Sequence, residues 1–172
     1  KIAGKWIVGK GPINDHDSMS LEIVLNNAVN GDQIYIRPGE YKISHLPTNK
    51  SLTLRGLTCN IDEIVIIIKN NKIRKLNDKS ITLIIENLTI KDSARPSHIN
   101  HSLLSLNNGS AEIKNVNINS RHHLHIFSIK GSAKLNISES TIVGKNTSVA
   151  FYLDGKAKLS INKSKLQRHH VA

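Results

Sequence analysis

One phrase of residues returns at a nearly fixed spacing through the second half of this chain. Ala111-Glu112-Ile113, Ala133-Lys134-Leu135-Asn136-Ile137 and Ala157-Lys158-Leu159-Ser160-Ile161 are versions of it, with their alanines 22 and 24 residues apart. Each follows a glycine (Gly109, Gly131, Gly155), and each glycine follows an alternating apolar stretch. Those stretches are Leu104-Ser105-Leu106, Phe127-Ser128-Ile129 and Phe151-Tyr152-Leu153. A period of this length defines a solenoid, in which each repeat buries its apolar face against its neighbours. The alternation inside the repeat has period two, so the unit is built of strands.

The pattern extends backwards. Ser80-Ile81-Thr82-Leu83-Ile84-Ile85 and Leu52-Thr53-Leu54-Arg55-Gly56 carry the same apolar rhythm, at wider spacings of 29 and 30 residues, so residues 60–79 and 91–102 read as insertions. Gly56, Asn87 and Asn115 occupy one slot before the second apolar pair, and these residue types tolerate a left-handed bend. Glu139 and Lys163 hold that slot in the last two units. The expected fold is all-β: a single-stranded right-handed parallel β-helix of about 5–6 coils, stacked at roughly 4.8 Å per coil. An antiparallel sandwich also alternates, but it does not require the phrase to return. The repeat alignment places Leu54, Leu83, Ile113, Leu135 and Leu159 in one interior ladder.

Composition agrees with aliphatic ladders, since apolar residues make up 38% of the chain and aromatics only 3%. The single cysteine, Cys59, falls at an apolar repeat position and is expected in the core; one cysteine excludes an internal disulfide. No stretch approaches the ~20 apolar residues of a membrane span.

The N-terminal part adds a short strand, Trp6-Ile7-Val8-Gly9, and a helix begun near Ser18–Ser20. The helix carries Leu21, Val24, Leu25 and Ala28 on one face, with Gly31 as a stop signal. Gly31-Asp32-Gln33-Ile34-Tyr35-Ile36-Arg37-Pro38-Gly39-Glu40-Tyr41 follows. This order resembles the opening of bacterial pectate-lyase-like proteins: strand, amphipathic cap helix, the Gly-Asp to Pro-Gly-x-Tyr phrase, then coils. The helix is expected to cover the open end of the first coil. Residues 1–50 are read as cap strand, cap helix and first coil, and 51–172 as coils of one continuous domain. The resemblance implies a secreted or cell-surface bacterial protein that acts on, or binds, acidic polysaccharide.

Charge is uneven. The chain carries a formal +11, of which residues 111–172 supply +7 together with five of the nine histidines. A basic surface favours anionic partners, although outward lysines also keep strands soluble and unpaired. The sharpest cluster is Arg121-His122-His123-Leu124-His125, echoed by Arg168-His169-His170, with Lys145 in the coil between. Arg95, His98 and His101 occupy the long turn of the preceding coil as secondary candidates. Three readings stand: a basic strip that recognises carboxylate, sulfate or phosphate, a transition-metal site, and a solvated polar turn. The metal reading is weakened because neighbouring His122 and His123 point opposite ways when extended. Asp15-His16-Asp17 reads as the helix cap.

The resembling enzymes use clustered carboxylates beside a base. Here Glu86, Glu112, Glu139 and Asp154 occupy different repeat slots, so no position receives a catalytic role and no metal or cofactor is implied. The function expected is a recognition module for an anionic partner, foremost an acidic polysaccharide or another cell-surface glycan. The alternative is a polysaccharide-acting enzyme (lyase, hydrolase or esterase) or a fragment of one. The last coil has no covering helix in view, which predicts end-to-end self-association, a partner, or further coils at that end.

Overall fold

The computed structural model describes residues 3–9, 17–18, 20–47, 49–69, 81–93, 102–120, 125–145 and 149–169; at 17, 18, 145, 149, 168 and 169 it describes the backbone alone. The elements in order are β1 (Lys5–Val8), β2 (Asp17–Ser18), α1 (Leu21–Asn27), β3 (Gln33–Ile36), β4 (Gly39–Ile43) and β5 (Leu52–Gly56). A 3₁₀ turn (Ile61–Glu63) leads to β6 (Ile64–Ile68), β7 (Thr82–Asp92), β8 (Ser102–Leu106), β9 (Ser110–Ser120) and β10 (His125–Ile129). Then come β11 (Lys134–Ser138), β12 (Thr141–Lys145), β13 (Val149–Leu153), β14 (Lys158–Asn162) and β15 (Lys165–His169).

Every strand pair is parallel, and the chain forms a right-handed parallel β-helix of about five turns. Three faces run along it. One stacks β2, β1, β3, β5, the first half of β7 and of β9, β11 and β14. The second stacks β4, β6, the second halves of β7 and β9, β12 and β15. The third stacks β8, β10 and β13. The interior is aliphatic, with Ile34, Leu54, Ile66, Leu83, Leu106 and Leu135 fully buried.

The register corrects the repeat alignment in detail. Leu135 pairs with Ala111 and with Leu159, whereas Ile113 pairs with Ile137 and with Ile85. The interior therefore holds two neighbouring ladders on this face. Leu52, Leu83, Ala111, Leu135 and Leu159 form one; Leu54, Ile85, Ile113, Ile137 and Ile161 form the other. The expected single ladder mixed the two. A slip of two residues keeps every side chain on the same face, so alternation alone does not separate adjacent rows. The coil-to-coil step is 31 residues from Arg55 to Glu86, 28 from Asn87 to Asn115, and 24 in the last two turns. The span 60–79 is not all insertion either, since β6 is a working rung between β4 and β7.

The bend slot is left-handed at Asn87, Asn115, Glu139 and Lys163, with φ of 57°, 51°, 53° and 48°. Gly56 is the exception. Its φ is not positive; glycine is needed there because a Cβ would meet the Asn87 carbonyl of the next coil. Asn115 Nδ2 donates to Asn87 Oδ1 at 3.0 Å, so the two asparagines begin a side-chain ladder. Glu139 takes the same strained backbone with an exposed side chain. Glu139→Asn is expected to stabilise the protein by about 1 kcal/mol, because asparagine relieves left-handed strain and can extend the ladder to Asn115. Thermal melting of Glu139→Asn beside Glu139→Ala checks this; equal midpoints would refute it.

Cys59 lies exposed in the turn after β5, not in the core. Its repeat slot falls where the chain leaves the coil for the 3₁₀ turn, which the apolar pattern does not reveal.

The first coil is capped as expected. Ser20 Oγ accepts from the Ile23 amide, and Leu21, Val24, Leu25 and Ala28 are buried against the coil. The Lys50 ammonium donates to the carbonyls of Leu25, Asn26 and Ala28, closing the helix C-terminus. Tyr41 is buried against Gly9 and Gly39, its hydroxyl donating to the Arg37 carbonyl at 2.8 Å. Burial pushes that hydroxyl above the usual tyrosine value.

Candidate functional site

The third face carries the most chemically varied described surface. Along β10 and β13, Phe127 and Phe151 pair in register and stack at 5.3 Å with an interplanar angle of 9°. Phe127 is buried and Phe151 partly so, as the alternation predicts. The residue after Phe151 must then point outward, and Tyr152 does: its side chain is 40% exposed. In register with it on the neighbouring coils stand Ser128 and Ser105, both buried and both small. Tyr152 is thus a large ring beside a column of short side chains.

Two nitrogen-bearing groups flank this ring. Lys130 Nζ lies 5.0 Å from the Tyr152 centroid, a cation–aromatic contact. The His125 imidazole lies 5.2 Å from it, tilted by 36°. His125 Nδ1 is shielded from solvent and has no hydrogen-bond partner among the described residues. The cluster therefore offers a partly exposed tyrosine ring with an ammonium over it, and a histidine at its margin. It can stack on an apolar ring face and neutralise an anion beside it.

Of the strip expected from sequence, His125 joins this cluster. Arg121, His122, His123 and His170, and the secondary candidates Arg95, His98 and His101, lie outside the described residues. So do Asp15 and His16. For Lys145, Arg168 and His169 the backbone register is described: Lys145 pairs with His169 and Gly144 with Arg168, on adjacent coils of the second face. Neither Tyr152 nor Lys130 was among the residues expected in the strip. The signal was present, because a tyrosine following a core position of a strand faces out, and Lys130 ends the neighbouring strand β10 before Gly131.

Several of the described carboxylates are occupied elsewhere. Glu86 accepts from Arg55 Nε at 2.6 Å across two coils of the first face. Asp62 Oδ1 accepts from Thr89 Oγ1 and Asn117 Nδ2, tying the 3₁₀ turn to the second halves of β7 and β9. Glu63 accepts from Thr58 and Asn60 within the turn itself. Asp92 accepts from Ser120 Oγ at 2.8 Å in a buried pair. Among the described residues no group of three or more His, Cys, Asp and Glu is arranged to hold a metal ion. Among them, too, no helix is long and apolar enough to cross a membrane. A small open cavity beside α1 is lined by Glu22, His45 and Lys50; Glu22 is bound to the Ser44 amide and Lys50 to the helix carbonyls.

No protein family matches the chain, and neither a curated protein nor a solved structure is similar to it.

Proposed function

We propose that this β-helix is a recognition module for an acidic glycan, bound on the side of the solenoid that carries Tyr152. The observation that carries the reading is the exposed Tyr152 ring with Lys130 and His125 against it. A pyranose presents an apolar C–H face and, in an acidic sugar, a carboxylate or sulfate at its rim. A tyrosine ring with an ammonium over it and open surface beside it suits those two features together. The +7 balance of residues 111–172 supplies a long-range field of the right sign. The N-terminal resemblance to pectate-lyase-like proteins points to the same class of polymer, and to a secreted or surface setting.

A glycan array of carboxylated, sulfated and neutral polymers tests this at low and high salt. Acidic polymers should bind, and more weakly as salt rises. A Tyr152→Ala/Lys130→Ala double change should weaken binding by about tenfold or more, the scale expected when a stacking ring and a charged partner are removed together. Binding that ignores both salt and the double change would remove the site. Incubating the bound polymers and measuring new reducing ends and new unsaturated termini separates recognition from the alternative, cleavage by a polysaccharide-acting enzyme.

A further inference from the structure

We propose that the cavity between the cap helix α1 and the chain after β4 binds one neutral sugar ring, or a polyol of that size. The site lies on the cap of the first coil, apart from Tyr152, and does not depend on the acidic-glycan reading.

Two ties hold the chain after β4 against the helix. Glu22 Oε2, in the first turn of α1, accepts from the Ser44 amide at 2.8 Å. The Lys50 ammonium donates to the carbonyls of Leu25, Asn26 and Ala28 at 2.9, 3.3 and 2.6 Å. Between these ties lies a cavity of about 180 Å³, walled by Leu25, Asn26, His45, Pro47 and Asn49 together with the two tying residues. That is the space of about six waters at about 30 Å³ each. It is well under the roughly 300–1,000 Å³ of pockets for drug-sized ligands, so it takes one ring and not a row of them. Leu25 and Pro47 are buried and supply its apolar part. Asn26 and Asn49 are exposed, and no hydrogen bond among the described residues engages their side-chain amides.

The lining selects the chemistry of the ligand. Lys50 spends its three ammonium protons on the helix carbonyls and offers none to an anion. The Glu22 carboxylate would meet an anion with like charge. An ammonium would suit Glu22 but has no lone pair for the amide N–H groups of Asn26 and Asn49. A hydroxyl both donates and accepts. Hydroxyls can therefore donate to Glu22 Oε1 and to the amide oxygens, and accept from the amide nitrogens. A sugar ring carries hydroxyls on its rim and an apolar C–H face that can rest on Leu25 and Pro47. Its hydroxyls reproduce the hydrogen bonds of the waters they displace, which keeps that displacement cheap.

Nitrogen-15 NMR of the Asn26 and Asn49 side-chain amides tests the site on the intact protein. Glucose, galactose and mannose are titrated singly, each beside its uronate and its amino sugar. At least one neutral sugar should move both amide signals saturably, with a Kd of about 1 mM, the scale for so small a ligand. Salt should leave that binding unchanged, because the ligand carries no charge. The matching uronate should bind at least about tenfold more weakly. Asn26→Ala/Asn49→Ala should weaken the neutral sugar by about tenfold or more, read by saturation transfer on the sugar. Its melting temperature should not fall, since both side chains are exposed and alanine favours the helix at position 26. Tyr152→Ala/Lys130→Ala should leave this binding intact. A neutral oligosaccharide ending in the same ring names the source: tighter binding than the free sugar assigns a glycan chain end, and equal binding a free sugar. Amide signals unmoved at about a hundredfold above the expected Kd would overturn the proposal. So would equal binding of the uronate or the amino sugar, or full binding to the folded double variant at Asn26 and Asn49.

Discussion

Asp32→Ala is expected to lower stability by about 3 kcal/mol or more and to release the N-terminal cap. Asp32 is 2% exposed and its two oxygens accept from two backbone amides and one indole N–H. Oδ1 accepts from the Gly4 amide at 2.6 Å; Oδ2 accepts from Trp6 Nε1 and from the Val29 amide, both at 2.8 Å. The carboxylate thus ties β1, the exit of α1 and the entry to β3. Its removal leaves three donors without their acceptor in a partly closed site, at about 1–3 kcal/mol each where water cannot replace it. For a chain of this size the melting temperature should fall by about 6–12 °C. Trp6 is the single tryptophan, so its fluorescence reports on the cap directly. Asp32→Asn keeps the shape but turns an amide N–H₂ toward a donor, and should fall between wild type and alanine. A melting temperature within about 2 °C of wild type for Asp32→Ala, an effect under about 1 kcal/mol, would show that the cap is held by apolar packing alone.

Phe127→Ala is expected to cost about 3–5 kcal/mol, the range for removing a buried aromatic from a core. Phe151→Ala should cost clearly less. The two rings are stacked partners, yet Phe127 lies between the coils of β8 and β13 while Phe151 has a neighbour on one side only among the described strands. In a solenoid each coil is stabilised by its interfaces with its neighbours. Loss of Phe127 should therefore loosen the last coils first. Hydrogen exchange should rise through β13, β14 and β15 while β3 and β5 keep their protection. Equal costs at the two positions, or a uniform rise in exchange along the axis, would contradict a nearest-neighbour core.

How much of this was legible beforehand differs between shape and site. The recurrence of Lys-Leu-Asn-Ile and Lys-Leu-Ser-Ile one coil apart was enough to imply parallel stacking, because only a coiled chain brings the same phrase to the same place. The cap helix was equally plain, since Leu21, Val24, Leu25 and Ala28 fall on one face by spacing alone. The left-handed corner was readable at Asn87 and Asn115 but not at Glu139 and Lys163. There the neighbouring coils impose a backbone that the residue type does not prefer. Gly56 was assigned to the right corner for a different reason from the real one, which is the approach of a carbonyl 31 residues away in the coil step.

The sequence by itself determined the fold class, the inward and outward faces of each strand, the capped first coil and the basic second half. Those properties depend on local periodicity and composition, which neighbouring residues carry along the chain. The tertiary structure alone decided which of two equivalent ladders each residue joins. It also exposed Cys59 and turned Asp62 and Glu63 into ties for a turn. And it gathered His125, Lys130 and Tyr152 around one ring. Each of these depends on the loop length between coils. A loop that differs by two residues leaves every face unchanged and moves every neighbour.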